Sequence, residues 1–263
     1  MSMTFSPLCS GSSGNAAYLE AGGVQLLIDA GGTGKHIIEL LHEIDIHAHS
    51  IDAILVTHEH SDHICGVGVL SRKLDIPVYA DAECFEKMLP IIGKISARNL
   101  RVFEPDHEFY IKTLRVLPFS TPHDCAHPVG YAFMSGGKKV SVMTDVGHVT
   151  KAMLDAVENS DLLLIEANHD VDMLRAGSYP YPLKQRILGG NGHLCNEDSG
   201  LALVKLHAMG VKNAILGHLS NENNTPELAL VTVKTVLEEA GILNDMFITV
   251  ANRLHPTGVF EIA

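Results

Sequence analysis

The chain has 263 residues, of which 46% are hydrophobic, 19% charged and 5% aromatic, and its formal net charge is −12 at pH 7. This length allows a sizeable buried core, and the lack of low-complexity tracts and like-charge runs argues against a linker between two halves. We therefore expect one domain over residues 1–263. The acidic balance argues against a broad nucleic-acid platform, because Lys and Arg supply most nonspecific affinity for phosphates.

The N-terminal residues and the cysteines favour a cytoplasmic protein. Residues 1–7 lack a basic segment followed by an apolar one, and no apolar run approaches the length of a membrane span. The five cysteines are scattered and show no C-x-x-C spacing, which is typical of free thiols in a reducing compartment. We expect no membrane association and no obligate protein partner.

The N-terminal third is predicted to form short strands joined by tight turns. Apolar runs predict three strands, over residues 3–8, 16–20 and 24–29. Gly22-Gly23 favours a hairpin between the last two strands. The loop Ser10–Asn15, SGSSGN, combines glycines that permit close backbone approach with hydroxyls that can donate to an anion, although a simple turn is the alternative. A helix with apolar positions between residues 37 and 44 follows.

A dense group of potential metal ligands follows the next apolar strand. A β-branched run leads into THEHSDH, residues 57–63, which contains three histidines and an aspartate. Side chains alternate in an extended segment, so His58 and His60 can converge on one ion while Asp62 and His63 reach a second. A polar loop of solvated histidines is the alternative, but strands farther along the chain also end in candidate ligands.

Three later strands are each followed closely by a histidine or an aspartate that could bind a metal ion. We expect helices over residues 65–74 and 82–89 and strands over residues 76–80, 113–119, 130–134, 139–143, 162–166, 213–216 and 246–251, with further helices over 201–209 and 226–240. His123, Asp145 and His218 follow three of these strands. Strands first, and alternation of strand and helix later, favour an α/β fold.

The ligand-rich loop carries a resemblance to a known family. His58-Glu59-His60-Ser61-Asp62-His63 resembles the HxHxDH signature of the metallo-β-lactamase superfamily, and the likeness continues along nearly the whole chain. Residues 10–15, 66–73 and 217–224 most resemble the YycJ/WalJ branch. The resemblance implies an αβ/βα sandwich of two mixed β-sheets flanked by helices, and a 5′–3′ exonuclease acting on double-stranded DNA.

The same resemblance implies a complete ligand set for two divalent ions. The implied ligands are His58, His60 and His123 for one ion, Asp62, His63 and His218 for the other, and Asp145 as the bridge. Such ligands accept zinc, manganese or iron. A hydroxide held between the ions would attack phosphorus, Asp62 would orient it, and the paired charges would stabilise the attacking and leaving oxygens. These ions would also bring positive charge to an acidic protein.

The resemblance further implies three supporting residues. His193 matches a histidine that protonates the leaving oxygen in the ribonuclease Z branch, and Glu166 matches the carboxylate that supports it. A helix-capping surface histidine is the alternative for His193, and Cys195 stands where that branch often has a hydroxyl residue. Asp29 matches an aspartate that supports the metal loop by hydrogen bonding, with a simple strand-end residue as the alternative.

Contacts to the substrate are expected from a small set of polar residues. The candidates are Ser12, Ser13, Asn15, His127 and His169, with Arg72, Lys73, Lys184 and Arg186 as possible cations for a polyanion. A structural or solvent-facing role is the alternative for the two histidines. Trp is absent and Phe and Tyr are few, so base stacking is not expected to be a main source of affinity.

We therefore predict a dinuclear metal-dependent phosphodiesterase, a nuclease with DNA as its substrate. The enzymatic alternative is a small-molecule hydrolase such as a cyclic phosphodiesterase or a glyoxalase II-like thioesterase, although the latter should carry a distinct C-terminal domain. His60 argues against a flavodiiron-type protein and Asp145 against β-lactamases with a cysteine at the bridge. A regulatory protein with vestigial activity would be expected to lack a ligand.

Overall fold

Two seven-stranded mixed sheets pack face to face, and helices cover both outer faces. The computed structural model describes residues 2–263. The arrangement is the predicted αβ/βα sandwich, so the fold prediction is confirmed. Among residues 2–263, no helix has the length and apolar character that crossing a bilayer requires.

The strands and helices are numbered here in chain order. The strands are β1 (Met3–Cys9), β2 (Ala16–Ala21), β3 (Val24–Ile28), β4 (Ala53–Leu55), β5 (Val78–Ala80), β6 (Leu100–Val102), β7 (Phe109–Ile111), β8 (Leu114–Ser120), β9 (Val129–Ser135), β10 (Lys138–Met143), β11 (Leu162–Glu166), β12 (Asn213–Gly217), β13 (Phe247–Val250) and β14 (Phe260–Ile262). The helices are α1 (Gly34–Glu43), α2 (Ser61–Ile64), α3 (Val67–Leu74), α4 (Ala82–Ile92), α5 (Lys151–Val157), α6 (Val171–Ala176), α7 (Tyr181–Ile187), α8 (Asn196–Ala208) and α9 (Pro226–Glu239).

The two sheets are built alike. The first has the order β14-β1-β2-β3-β4-β5-β6 and the second the order β13-β12-β11-β10-β9-β8-β7. Pairing is antiparallel from β14 to β3 and parallel from β3 to β6. It is antiparallel from β7 to β10 and parallel from β10 to β13. Parallel neighbours end at the same edge of a sheet, which is where the candidate ligands follow their strands.

The apolar residues form three layers. Side chains such as Phe5, Leu26 and Tyr131 are fully buried between the sheets. Helices α1, α3 and α4 cover the first sheet, and α5, α8 and α9 cover the second. Burial of each large apolar side chain contributes about 1.5–3 kcal/mol, so these layers hold the strand ends in fixed positions.

Glycines allow two hairpins to turn tightly. Gly22 and Gly23 have φ values of 60° and 75°, and Gly136 and Gly137 have φ values of 58° and 80°. Two successive positive φ angles match the twist of the flanking antiparallel strands, and glycine adopts them without steric cost. The hairpin predicted at Gly22-Gly23 is present, and a second one joins β9 and β10.

Several predicted boundaries differ from the structure. The helix expected over residues 65–74 is preceded by a separate short helix, α2, which carries Asp62 and His63. Helix α8 begins at Asn196 rather than at residue 201. Sγ of Cys195 accepts a hydrogen bond from Asp198 N at 3.4 Å, and the helix N-terminus favours the acidic residues of the first turn. Cys195 thus takes the capping role that a hydroxyl would fill.

Candidate metal centre

Four strand ends bring the predicted ligands together at one edge of the sandwich. The loop after β4 carries His58, His60, Asp62 and His63, while His123, Asp145 and His218 follow β8, β10 and β12. Within each of three groups the potential ligand atoms lie within 4.8 Å of one another: His58, His60 and His123; Asp62, His63 and His218; and His58, His63 and Asp145. The first two groups are the two predicted ligand sets.

Asp145 lies between these sets. Its Oδ1 is 4.0 Å from His58 Nε2 and 3.7 Å from His123 Nε2. Its Oδ2 is 3.4 Å from His63 Nε2. Oδ1 is also 3.5 Å from His218 Nδ1, so the carboxylate lies against members of both sets, as a bridging ligand would.

The backbone is strained at three positions around the cluster. Asp29, Asp145 and His218 have φ values of 59°, 58° and 56°, and each directly or closely follows a strand. Left-handed conformations are uncommon for residues other than glycine and persist where the surroundings impose them. Two hydrogen bonds help to hold them, from Asp29 N to Leu55 O and from His218 N to Ser10 Oγ, both at 2.8 Å.

Hydrogen bonds donated by Nδ1 orient three of the histidines. His63 Nδ1 is 2.8 Å from Asp29 Oδ2, His123 Nδ1 is 2.9 Å from Gly192 O, and His218 Nδ1 is 2.7 Å from Glu166 Oε1. An Nδ1 proton donated to these acceptors leaves the Nε2 lone pair available for a cation. The hydrogen bonding to the metal loop that was expected of Asp29 is therefore present. Thr57 also donates its N–H and its hydroxyl to the carboxylate of Asp29, both at 2.8 Å.

Unsatisfied buried atoms show that the cluster fits divalent cations. Nε2 of His58, His123 and His218 and Oδ2 of Asp145 are buried without a hydrogen-bond partner. Buried polar atoms in this state cost free energy, and their concentration at one point is typical of a ligand site. Histidine nitrogen and carboxylate oxygen are the donor atoms that zinc, manganese and iron accept.

The charges of the protein itself also favour cations here. Although burial lowers it, Asp145, Asp29 and Asp62 raise the pKa of His63 to about 9. The pKa of His218 is raised well above its ordinary value against the effect of burial, chiefly by Asp145. Burial and neighbouring histidines instead lower the pKa of His58, which favours the neutral form. The carboxylates thus draw positive charge into the cluster, and metal ions can supply it.

Glu166 connects the cluster to His193. Its Oε1 accepts hydrogen bonds from His193 Nδ1 at 2.8 Å and His218 Nδ1 at 2.7 Å. Its Oε2 accepts from the backbone N–H groups of Val146 at 2.8 Å and Leu194 at 3.1 Å. Burial raises the pKa of Glu166, but His193 and His218 outweigh it and hold the pKa well below its ordinary value. The predicted contact between Glu166 and His193 is present.

The cluster opens into a cavity of about 230 Å³. Its lining includes His60, Asp62, His123, Asp145, His193 and His218 on the side of the cluster. Ser12 and Ser220 also line the cavity, as do Tyr179, Leu183, Arg186 and Ile187 from the segment before Gly192. A substrate in this cavity would therefore touch both the charged cluster and apolar side chains of this segment.

Comparison with known proteins identifies the family. A profile for the beta-lactamase superfamily domain matches residues 25–219. The chain belongs to the metallo-β-lactamase superfamily. It is 41% identical to exodeoxyribonuclease YycJ of Bacillus anthracis over 92% of this chain and 91% of that protein. It is 45% identical to exodeoxyribonuclease WalJ of Streptococcus pneumoniae over 90% of this chain and 89% of that protein.

The solved structures agree on the fold. The metallo-beta-lactamase fold protein YhfI from Bacillus subtilis superposes with a TM-score of 0.74 over 99% of each chain, at 19% sequence identity. This similarity shows the fold alone. The predicted membership of the YycJ/WalJ branch of the metallo-β-lactamase superfamily is confirmed by the family profile and the two relatives.

The structure places some of the predicted substrate residues at the cavity of this YycJ/WalJ relative and others outside it. Ser12 lines the cavity, whereas Ser13 is exposed outside its lining. Asn15 is buried, and its Nδ2 lies 3.1 Å from His63 Nε2 and 3.4 Å from Asp62 Oδ2, so it contacts the ligands themselves. His127 lies outside the cavity lining, with Nε2 3.5 Å from Ser120 Oγ.

His169 belongs to a different part of the molecule. It is 1% exposed and lines a separate cavity of about 340 Å³ together with Cys195. Burial lowers the pKa of this histidine to about 4. A neutral, buried imidazole outside the site cavity does not meet a substrate bound at the cluster.

Within residues 2–263, Arg186 is the one predicted cation that lines the cavity. It forms a bidentate pair with Asp124, whose Oδ1 accepts from Nη2 at 3.0 Å. Arg72 and Lys184 instead donate to backbone carbonyls. Tyr179 and Leu183 were not among the predicted site residues. The one available signal was their place on a segment between Glu166 and His193, both of which belong to the site.

Proposed function

We propose that the protein is a dinuclear metal-dependent nuclease that degrades double-stranded DNA from a 5′ end. One observation carries the proposal: six ligand candidates form two sets of three around a seventh, Asp145, in a chain whose 41–45% identical relatives are named exodeoxyribonucleases. The relatives match about nine-tenths of their own length, so the likeness extends well beyond the ligand motifs.

Two divalent ions, zinc or manganese with iron as a further option, complete this proposal. The residues that would hold them are His58, His60 and His123 for one, Asp62, His63 and His218 for the other, and Asp145 for both. When bound, such ions lower the pKa of water toward neutrality and balance the negative charge of a phosphodiester. The acidic protein would then attract phosphate at this one point.

Asp62 is suited to orienting the nucleophile. Its Oδ2 lies 3.7 Å from both His63 Nε2 and His218 Nε2, and its side chain is 25% exposed toward the cavity. Burial raises the pKa of Asp62, but His218 and His63 outweigh it and hold the carboxylate in its charged form. A charged carboxylate at the cavity surface can accept a hydrogen bond from water and fix its direction of attack.

His193 is suited to protonating the leaving oxygen. Because Nδ1 donates to Glu166, the remaining nitrogen, Nε2, can carry a proton toward the cavity that His193 lines. Such proton donation contributes about 10²- to 10⁴-fold to the rate when the leaving group is a poor one.

Leaving-group dependence tests this assignment. We expect His193→Ala to lower kcat on 5′-labelled duplex DNA by about 10²- to 10⁴-fold. We expect a much smaller loss on bis(p-nitrophenyl) phosphate, because p-nitrophenolate leaves without protonation. The matched control is His42→Ala, at an exposed position of α1 that lies outside the cavity. Equal losses on both substrates would contradict the acid role.

The same preparation distinguishes the substrate classes. Wild-type protein loaded with Mn²⁺ or Zn²⁺ is assayed on end-labelled duplex DNA, single-stranded DNA, RNA and S-lactoylglutathione. Stepwise release of nucleotides from the 5′ ends of duplex DNA, lost in Asp62→Ala, is the expected result. Thioester cleavage without phosphodiester cleavage would overturn the proposal.

A further inference from the structure

Part of the cavity lining has an unusual composition for a site that binds phosphate. Tyr179, Leu183 and Ile187 line the cavity and are each half-buried. Leu183 and Ile187 are four residues apart on α7, so they lie on the same side of the helix. Partly exposed apolar side chains that share a cavity with a charged cluster are typical of a binding site.

This apolar wall, defined as Tyr179, Leu183 and Ile187, is joined directly to His193. His193 N donates to Ile187 O at 3.1 Å, and Gly192 N donates to Gly189 O at 2.9 Å. The turn is tight, since a Cβ on Gly192 would lie 2.1 Å from Ile187 O. His123 Nδ1 also contacts Gly192 O at 2.9 Å. The end of α7 therefore fixes the wall, His193 and one ligand histidine relative to one another.

We propose that the apolar wall is the subsite for the terminal nucleoside that leaves the DNA, an inference that rests on the proposed function. In hydrolysis from a 5′ end, a hydroxide oxygen bonds to phosphorus and keeps its proton, and the bond between phosphorus and O3′ of the terminal nucleotide breaks. O3′ leaves with the bonding electrons and takes a proton from His193. The nucleoside that carries O3′ must therefore lie beside His193, where the structure has the wall.

The size and chemistry of the cavity agree with this occupant. Its volume of about 230 Å³ is smaller than the ~300–1,000 Å³ typical of small-molecule pockets, so it cannot enclose a length of duplex. A base has two apolar faces, and a tyrosine ring can stack on one of them without regard to sequence. Leu183 and Ile187 can pack against the sugar and the base edge.

A base-deletion cycle tests the subsite. kcat/KM is measured for wild-type protein and Tyr179→Ala on duplex DNA whose 5′-terminal nucleotide is either intact or abasic. We expect Tyr179→Ala to lower kcat/KM by about 5- to 150-fold on intact DNA, the range for one base stacked on an aromatic ring. On DNA with the abasic terminus the same substitution should change kcat/KM less than twofold, because there is no base to stack.

The controls separate this inference from the proposed function. Tyr181→Ala, a residue that is 73% exposed and lies outside the cavity lining, should match wild type on both substrates. Tyr179→Phe keeps the ring and should retain most activity. If wild type degrades duplex DNA but the effects of Tyr179→Ala and base deletion simply multiply, the subsite is wrong and the nuclease stands. If wild type does not cleave DNA ends, both proposals fail.

Discussion

The carboxylate of Glu166 is hydrogen-bonded to four groups of the site. His193 and His218 donate to one oxygen, and the backbone N–H groups of Val146 and Leu194 donate to the other. Because Glu166 is fully buried, no water can replace a lost partner. A single residue thus sets the orientation of a metal-ligand candidate, of the proposed acid and of the backbone that follows Asp145.

Replacement of Glu166 by glutamine should damage metal binding and catalysis together. A glutamine has nearly the same shape, but its amide NH₂ cannot accept a hydrogen bond, so either two imidazoles or two backbone N–H groups lose their acceptor. We expect metal affinity to fall by about 10- to 100-fold and kcat/KM on DNA to fall at least as much. Metal titration and steady-state kinetics measure the two quantities.

The control for this change is Glu238→Gln, at an exposed position of α9. It removes the same charge from the surface and should leave both quantities unaltered. Metal affinity and activity within twofold of wild type in Glu166→Gln would show that Glu166 does not position these histidines.

At the level of elements, backbone hydrogen bonds join two loops to helix α2 at the candidate metal centre. Asn15 N donates to Asp62 O and Gly31 N donates to Asn15 O, both at 2.8 Å. Ala30 N donates to His63 O at 2.8 Å. The loop after β1, the loop after β3 and helix α2 are therefore held as one unit, and the ligands on α2 depend on the other two loops.

Gly31 is the position where this unit is most sensitive to an added side chain. A Cβ there would lie 1.7 Å from Asp62 O and 2.5 Å from Asn15 N, so the loops would have to separate. We expect Gly31→Ala to destabilise the fold by at least the ~1–3 kcal/mol that overpacking costs, and to weaken metal binding. Urea unfolding and metal content measure these effects.

Gly190→Ala is the matched substitution. A Cβ at Gly190 would meet only one neighbouring atom within 4 Å, His148 Nδ1 at 3.8 Å, which is ordinary contact. The free energy of unfolding should change by less than about 0.5 kcal/mol in this control, as at other sites without special contacts. A Gly31→Ala protein as stable and as metal-rich as the control would contradict the joined-loop argument.

Elements with a clear apolar pattern were predictable from the sequence, and others were not. Strand β11, Leu162–Glu166, is an unbroken buried run and was predicted with its correct bounds. Helix α7 and strand β14 are short and partly exposed, so neither has a pattern of core positions. Helix α2 was missed because its four residues are mostly polar and exist to present ligands.

The ligand candidates were predictable for a different reason. Their residue types are chemically distinctive, and each lies at a strand end or in one short motif that marks its place. Tyr179 and Asn15 show what the sequence leaves open. Tyr179 lines the cavity beside ligand candidates that are distant from it in the sequence, and the amide of Asn15 contacts His63 only because the loop after β1 meets helix α2. Such roles depend on tertiary contacts that no local pattern records.

Across the whole molecule, the candidate metal centre lies where the two sheets meet. His58, His60, Asp62 and His63 follow a strand of the first sheet, whereas His123, Asp145 and His218 follow strands of the second. Each proposed ion would therefore take ligands from both sheets. Metal ions bound in this way would cross-link the sandwich at its functional edge and add to the hydrophobic contacts between the sheets.

Chelation should consequently destabilise the entire fold and not merely inactivate it. A ligand that binds only the native state stabilises it by about 2.7 kcal/mol when its free concentration is 100 times Kd. Removal of the ions also leaves Nε2 of His58, His123 and His218 buried without partners and the carboxylates of Asp145 and Glu166 with less compensating charge. We expect EDTA to lower Tm, and Mn²⁺ or Zn²⁺ to restore it in proportion to the logarithm of its concentration.

The variant Asp145→Asn separates cross-linking of the sheets by metal ions from a general effect of the chelator. It removes the charge of the residue that lies between both ligand sets. Its Tm should respond to added metal much less than that of wild type, whereas Asp245→Asn, at an exposed position, should respond fully. A Tm that is independent of metal in wild-type protein shown to bind two ions would mean that the sheets hold the ligands in place without help. The site would then be preformed by the fold, and the strained backbone at Asp29, Asp145 and His218 would be stabilised by the packing of the sheets alone.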